Sequence, residues 1–147
     1  MSAARLALLA QLGSTLPLVG LIWLIQLVHY PLFARVGADT FIDYHAAHSR
    51  LITFIVAPLM LVELLAAFAA TQVRDASEPA PLLWIGLALA VLVWAVTMFV
   101  SVPQHDVLSR GFNPSAHALL VSTNWLRTLA WTARGALLLW LTARALR

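Results

Sequence analysis

Apolar residues are grouped into four long runs that are separated by short polar stretches. The runs lie near 12–34, 51–72, 82–103 and 118–143. Each is long enough to provide the roughly 20 residues that a helix needs to cross about 30 Å of hydrocarbon. Extended to their polar flanks, the predicted helices cover about 12–34, 41–72, 82–109 and 114–145. Because the connections are short, consecutive helices are expected to be antiparallel.

The polar stretches contain residues that are typical of helix ends. Gly37 is predicted to end the first helix and Asp39 to cap the second. The segment 74–81 is predicted to form a polar turn. Gly111 is predicted to close the third helix and Asn113 to cap the fourth. The pattern therefore predicts an all-α fold, a single-domain, integral membrane, up-down four-helix bundle.

Composition supports a surface that faces lipid. Of the 147 residues, 62% are hydrophobic and only 10% are charged, against about 45–50% and about 25% in soluble domains. A core of this size cannot bury all of these apolar side chains. Many of them must lie on the surface, and lipid is therefore expected around the chain. The formal net charge of +3 is spread thinly along the chain, which argues against a nucleic-acid partner. A homo-oligomer or a larger membrane complex stays open.

The arginines indicate an orientation. Near the end that carries both termini lie Arg5, Arg74, Arg144 and Arg147. Near the other end lie Arg35, Arg50 and Arg110. The excess of arginine at the first end favours a multi-pass protein of the bacterial inner membrane with both termini in the cytoplasm.

All five histidines fall at the end opposite the termini. They are His29, His45, His48, His105 and His117. His45 and His48 are three residues apart and share one helical face. Since the chain has no cysteine, these five imidazoles are the candidate ligands for copper, iron or zinc. The alternatives are a haem ligated axially by two of the first four, on different helices, or histidines that are ordinary interfacial residues.

Polar residues also occur within the apolar runs. Counted along the helices, Glu63 lies roughly 18 Å and Arg127 roughly 13 Å from the histidine end. Because an isolated charge there is costly, Glu63 is predicted to pair with Arg127, with Arg134 as the alternative partner. Such a pair is either structural or part of a proton relay. A substrate pocket is expected beside it, lined by Gln26, Tyr30, Asn124 and Trp125.

Two short motifs resemble a known family. They are Pro31-Leu32-Phe33 in the first helix and Asn124-Trp125-Leu126-Arg127 in the last. In these the chain resembles small four-helix bacterial membrane proteins akin to the anthrone-oxygenase-like family. That resemblance implies oxygenation of hydrophobic polyphenols, although the many histidines are a departure. In size, and in having a histidine in the first helix, the chain is also similar to the four-helix oxidases that convert protoporphyrinogen, but it has no lysine.

These observations predict a membrane-embedded oxidoreductase that acts on a lipophilic substrate such as a quinol or polyphenol. The histidines would hold the metal or haem. Glu63 would accept a proton beside Arg127, and Tyr44 or Tyr30 would orient the substrate. Two alternatives use the same residues differently. The chain could be a non-catalytic accessory or scaffold subunit of a membrane complex, or a small carrier that handles metal ions.

Overall fold

The computed structural model describes residues 2–74 and 78–145, and over these ranges the chain is helical and contains no strand. Four long helices make up the fold. They are α1 Ala3–Arg35, α2 Phe41–Val73, α3 Ala80–Leu108 and α4 Pro114–Ala145. Arg147 and part of the predicted 74–81 turn lie outside the described residues.

Helix α1 begins at Ala3, well before the predicted start near residue 12. Its first turn is capped by Ser2, whose Oγ accepts a hydrogen bond from the Arg5 N–H at 3.3 Å. The first nine helical residues were missed because Arg5 and Gln11 interrupt the apolar run. Burial of Gln11 shows that this polar side chain belongs to the bundle interior rather than to a flanking segment.

The predicted helix ends are confirmed at α4 and are wrong at α2. Asn113 Oδ1 accepts a hydrogen bond from the N–H of Ala116 at 2.9 Å, and Gly111 has the positive φ of 135° that glycine permits. At α2 the capping position is Thr40, which makes no side-chain cap. The Asp39 cap is therefore wrong.

The four helices form an antiparallel bundle in which α1 and α3 each pack against both α2 and α4. Cross-helix contacts show the direction, because Thr15 of α1 meets Glu63 of α2 while His29, further along α1, meets the earlier residue His48. The apolar core falls into two clusters. One lies near the histidine end around Phe33, and the other lies near the termini around Leu138.

Two wide π-helical turns interrupt the helices at the histidine end of the bundle. They are Ile25–His29 in α1 and Thr97–Ser101 in α3. Each lies just before a proline, Pro31 or Pro103. Proline has no N–H to bond the carbonyl four residues earlier, and in both helices that carbonyl lies inside the wide turn.

The outer surface of the bundle is apolar along the middle of every helix. Phe54 and Phe99, for example, are 74% and 81% exposed. Over the described ranges, exposed arginine and aspartate side chains occur only near the helix ends. Helices α1, α2 and α3 are long and apolar enough to cross a membrane. Helix α4 is as long but does not meet that criterion, because it carries several buried polar residues.

Candidate functional site

Four of the five histidines meet at one end of the bundle, as the sequence predicts. His29 Nε2 is hydrogen-bonded to His48 Nδ1 at 2.7 Å, and His45 Nε2 is hydrogen-bonded to His105 Nδ1 at 3.0 Å. The two pairs are adjacent, since the His48 and His105 ring centroids are 5.9 Å apart. Three helices thus contribute to one imidazole cluster.

His117 does not belong to this cluster. Its Nε2 is hydrogen-bonded to the backbone oxygen of Tyr30 at 2.7 Å, and its ring packs 5.3 Å from that of Phe112. The first turn of α4 directs the side chain at the backbone of α1 and not at the other imidazoles. His117 ties α4 to α1, so the predicted set of five convergent ligands is reduced to four.

The imidazole nitrogens are paired with one another instead of surrounding a common point. A zinc ion needs about four donor atoms, each about 2.0–2.1 Å from the metal. In the described part of the chain, no group of three histidine, aspartate or glutamate side chains is arranged to hold a metal ion. Buried His45 Nδ1 and His48 Nε2 have no hydrogen-bond partner among the described residues. Two imidazole nitrogens of the cluster are therefore left available to bind a ligand or a metal ion.

A hydrogen-bonded chain leads from the cluster into the bundle. His105 Nε2 is hydrogen-bonded to the Tyr30 hydroxyl at 3.0 Å. The same hydroxyl oxygen accepts a hydrogen bond from Arg127 Nη2 at 3.2 Å. With the His45–His105 contact, this links a guanidinium in the interior to an imidazole pair at the bundle end.

Arg127 is a buried cation surrounded by neutral acceptors. Its Nε donates to Asn124 Oδ1 at 3.0 Å, and its Nη1 donates to Thr97 Oγ1 at 3.4 Å. Asn124 is held in place because its Nδ2 donates to Gln26 Oε1 at 2.8 Å. The fully buried ion pair between α2 and α4 involves Arg134 and not Arg127. Within the described residues, the charge of Arg127 therefore has no carboxylate beside it.

The Glu63–Arg127 pair predicted from the sequence is wrong, and the alternative with Arg134 is confirmed. Arg134 Nε donates to Glu63 Oε1 at 3.0 Å, and both side chains are 0% exposed. Arg127 and Arg134 are seven residues apart and share one face of α4. Helical spacing and depth therefore could not decide between them.

Further donors contact both oxygens of the Glu63 carboxylate. Thr15 Oγ1 donates to Oε1 at 2.7 Å, and the Trp131 indole N–H donates to Oε2 at 3.0 Å. Arg134 in turn donates to Gln11 Oε1 at 2.9 Å and to the Gly86 carbonyl. With its oxygens occupied by donors from two helices, Glu63 serves as a junction between α1, α2 and α4.

A cavity of about 240 Å³ lies between the helices, next to Arg127. Its walls are mostly apolar and include Ile22, Met60 and the rings of Trp94 and Trp131. Such a cavity suits a lipophilic molecule.

Polar groups enter this cavity near the histidine end. They are Thr53, Thr97, Ser101, His105 and Arg127. Ser101 is 2% exposed, and its hydroxyl has no hydrogen-bond partner in the described residues. Arg127 and Ser101 together give the cavity a cation and an unused hydroxyl group that could bind a ligand oxygen.

His105 also lines a second cavity, of about 310 Å³, at the end of the bundle. His45, Ser49 and Asp106 also line that cavity. His105 thus borders both cavities, as do Ile52, Thr53 and Val102. A third cavity, between α1 and α2, is lined by His29, His48 and the half-exposed Tyr44.

The pocket residues expected from the sequence occupy other places. Gln26, Tyr30 and Asn124 are buried in the hydrogen-bond network beside the 240 Å³ cavity and do not line it. Trp125 is 38% exposed and packs edge-on against Trp23 at 5.6 Å. Sequence reasoning missed Thr97 and Ser101, whose only signal was the proline that follows them.

No family model, no curated protein and no solved structure matches this chain. The family resemblance of the two short motifs therefore stays a prediction, and the site must be interpreted from its own geometry.

Proposed function

We propose that the chain is a multi-pass protein of the bacterial inner membrane that binds a lipophilic molecule of the quinol or polyphenol type inside its bundle. The membrane location is supported by the apolar belt, the exposed side chains between the charged helix ends. In α2 the belt runs from Leu51 to Val73. At about 1.5 Å per residue this is roughly 34 Å, close to the thickness of a hydrocarbon core.

Helix α4 is included in the proposed membrane domain because of the face that it exposes. Between residues 119 and 140 its large exposed side chains are apolar, namely Leu119, Trp125, Leu126, Leu129, Leu139 and Trp140. Its arginines within the belt, Arg127 and Arg134, are buried. Polar residues of membrane helices turn towards the bundle interior, and α4 follows that pattern.

The orientation is part of the proposal. Four arginines near the termini against three at the histidine end favour cytoplasmic termini. The imidazole cluster would then lie at the periplasmic side.

The ligand assignment rests on the environment of Arg127. A buried guanidinium held by neutral acceptors, on the wall of an apolar cavity, favours a ligand with an oxygen that can become negative. A phenolic hydroxyl or a quinone carbonyl on an aromatic ring has this chemistry. The indoles of Trp94 and Trp131 offer flat apolar walls for the ring.

In this proposal the ligand hydroxyl replaces the Tyr30 hydroxyl at His105 Nε2, which accepts its proton while Arg127 stabilises the oxyanion that remains. His105 is suited to this role because it lines the ligand cavity and contacts His45. The proton would pass along that contact to the cavity at the bundle end. Glu63 has no part in this path, since it does not line the ligand cavity and its oxygens accept hydrogen bonds from Thr15, Trp131 and Arg134.

The test uses the full chain in detergent micelles and a hydroxylated naphthoquinone whose absorption shifts when its hydroxyl ionises. We expect the wild type to bind the dye in its ionised form. Arg127→Gln should weaken binding about ten- to a hundredfold, because a hydrogen bond to a charged group is lost. Arg110→Gln, a surface change at the same end of the bundle, is the matched control. Equal binding by Arg127→Gln and the wild type would refute the ligand assignment.

The oxidoreductase assignment, with a metal ion or haem iron at the imidazole cluster, is a second candidate. The spacing of the rings favours it, since His45, His48 and His105 have centroids 5.2–6.4 Å apart. Rotation of these rings would be needed before three nitrogens could share one ion. A bound copper or iron would supply the redox chemistry that the side chains lack.

Metal analysis and an optical spectrum of the purified protein test this second candidate. Stoichiometric metal that is lost in the His45→Ala/His48→Ala double variant would support it. Metal binding without any oxidation of a quinol would instead favour the carrier. A colourless, metal-free protein that keeps its fold in the double variant and binds no dye would favour the scaffold subunit.

A further inference from the structure

A separate cavity of about 200 Å³ lies at the opposite end of the bundle, beside the termini. It is bounded by the beginnings of α1 and α3 and by the ends of α2 and α4. The apolar side chains of Leu8 and Leu83 form part of its wall. Two arginines also line it, Arg5 from the first helix and Arg144 from the last.

Gln11 adds a buried donor to this cavity. Its side chain is 3% exposed and lines the cavity. Arg134 Nη2, which can only donate, contacts Gln11 Oε1 at 2.9 Å, so the network fixes which end of the amide is oxygen. The Nε2 group has no hydrogen-bond partner among the residues described. A buried amide donor without an acceptor is costly, and a ligand oxygen would satisfy it.

We propose that this cavity binds the phosphodiester group of a lipid headgroup. Arg5 and Arg144 supply two positive charges and Gln11 supplies a neutral donor. Glu78 also lines the cavity and brings one negative charge. The formal sum of these side chains is one positive charge, which matches the single negative charge of a phosphodiester.

The position of the cavity favours a lipid as the source of that phosphate. Arg5 and Arg144 lie at the edge of the apolar belt, and Gln11 is about 9 Å further along α1 from Arg5. Headgroup phosphates lie at this level of a bilayer. Free inorganic phosphate presents the same oxygens and is the alternative source. The inference rests on the proposed membrane location but not on the ligand cavity at the histidine end.

The experiment measures binding of a short-chain phosphatidylglycerol to the full chain in neutral detergent. We expect Arg5→Gln and Arg144→Gln each to weaken binding about fivefold, and the double variant about thirtyfold, because each arginine near the phosphate contributes about 1 kcal/mol. The matched control is Arg35→Gln/Arg50→Gln, which removes two exposed arginines at the other end. We expect it to bind like the wild type.

Gln11→Glu is the sharper variant. It keeps an oxygen for Arg134 but replaces the donor that faces the cavity with an acceptor, so lipid binding should fall while the thermal stability without lipid is retained. Wild-type affinity in the Arg5→Gln/Arg144→Gln variant would overturn the proposal, as would an equal loss in the control. Displacement of the lipid by inorganic phosphate at similar concentration would overturn the lipid assignment. Because the assay uses micelles, failure of the chain to insert into bilayers would refute the membrane location separately.

Discussion

Replacing Glu63 with glutamine tests the ion pair at the centre of the bundle. The substitution leaves Arg134 buried without a counter-charge, and truncating one partner of such a pair costs about 3–5 kcal/mol. Both oxygens of Glu63 accept hydrogen bonds, Oε1 from Thr15 and Arg134 and Oε2 from Trp131. In the glutamine variant one of these oxygens becomes an amide N–H₂, which would point at a side chain that itself donates. We therefore expect the free energy of unfolding to fall by about 3–5 kcal/mol.

A double-mutant cycle identifies the partner of Glu63. Combining Glu63→Gln with Arg134→Met removes both charges, so the double variant should recover much of the loss and show a coupling energy of up to about 3 kcal/mol. The same cycle with Arg127→Met is the matched control and should be additive within about 0.5 kcal/mol. Denaturant unfolding in micelles, followed by circular dichroism, measures all five variants. Stronger coupling to Arg127 than to Arg134 would refute the pairing, and so would a Glu63→Gln variant as stable as the wild type.

Three further predictions concern single positions. Gly86→Ala should lower the melting temperature, because the new Cβ would lie 3.2 Å from Arg134 Nη1, whereas Gly13→Ala in open space should raise it slightly through helix propensity. Asn113→Ala should lower the unfolding free energy by about 1 kcal/mol, because it removes the cap of α4. Asn113→Ser should keep most of the wild-type stability, because serine can also cap a helix. Phe99→Arg places a charge on the exposed belt and should reduce membrane insertion by about 2.5–3.5 kcal/mol in a glycosylation-based insertion assay. Normal insertion of Phe99→Arg would contradict a lipid-facing position.

Much of the fold could be predicted because the chain's local signals agree with one another. Apolar runs of the right length fixed the helices α2 to α4, and the Gly111 and Asn113 signals placed the turn before α4 correctly. The start of α1 was missed because hydropathy treats Gln11 as an interruption. In the bundle, the side chain of Gln11 is buried against Arg134, which only tertiary structure can reveal.

The candidate site could be predicted only as far as helical phase allows. Phase and common depth were enough to bring His29, His45, His48 and His105 together. They were not enough for His117, because the direction of its ring depends on where α4 crosses α1. The choice of Arg134 over Arg127 depended on the relative height of α2 and α4, which short loops do not specify.

The two π-helical turns are places where the chain length of a helix can change without turning its far end. Each wide turn holds one residue more than a regular α-helical turn, so deleting one residue within 25–28 would let the segment rewind as ordinary helix. The residues on both sides would keep their helical phase, and His29 would still face His48. Deleting one residue from the regular part of α1 would instead rotate everything on one side by about 100° relative to the other side. A one-codon deletion in the wide turn should thus be tolerated, whereas one a few turns earlier should separate the imidazoles.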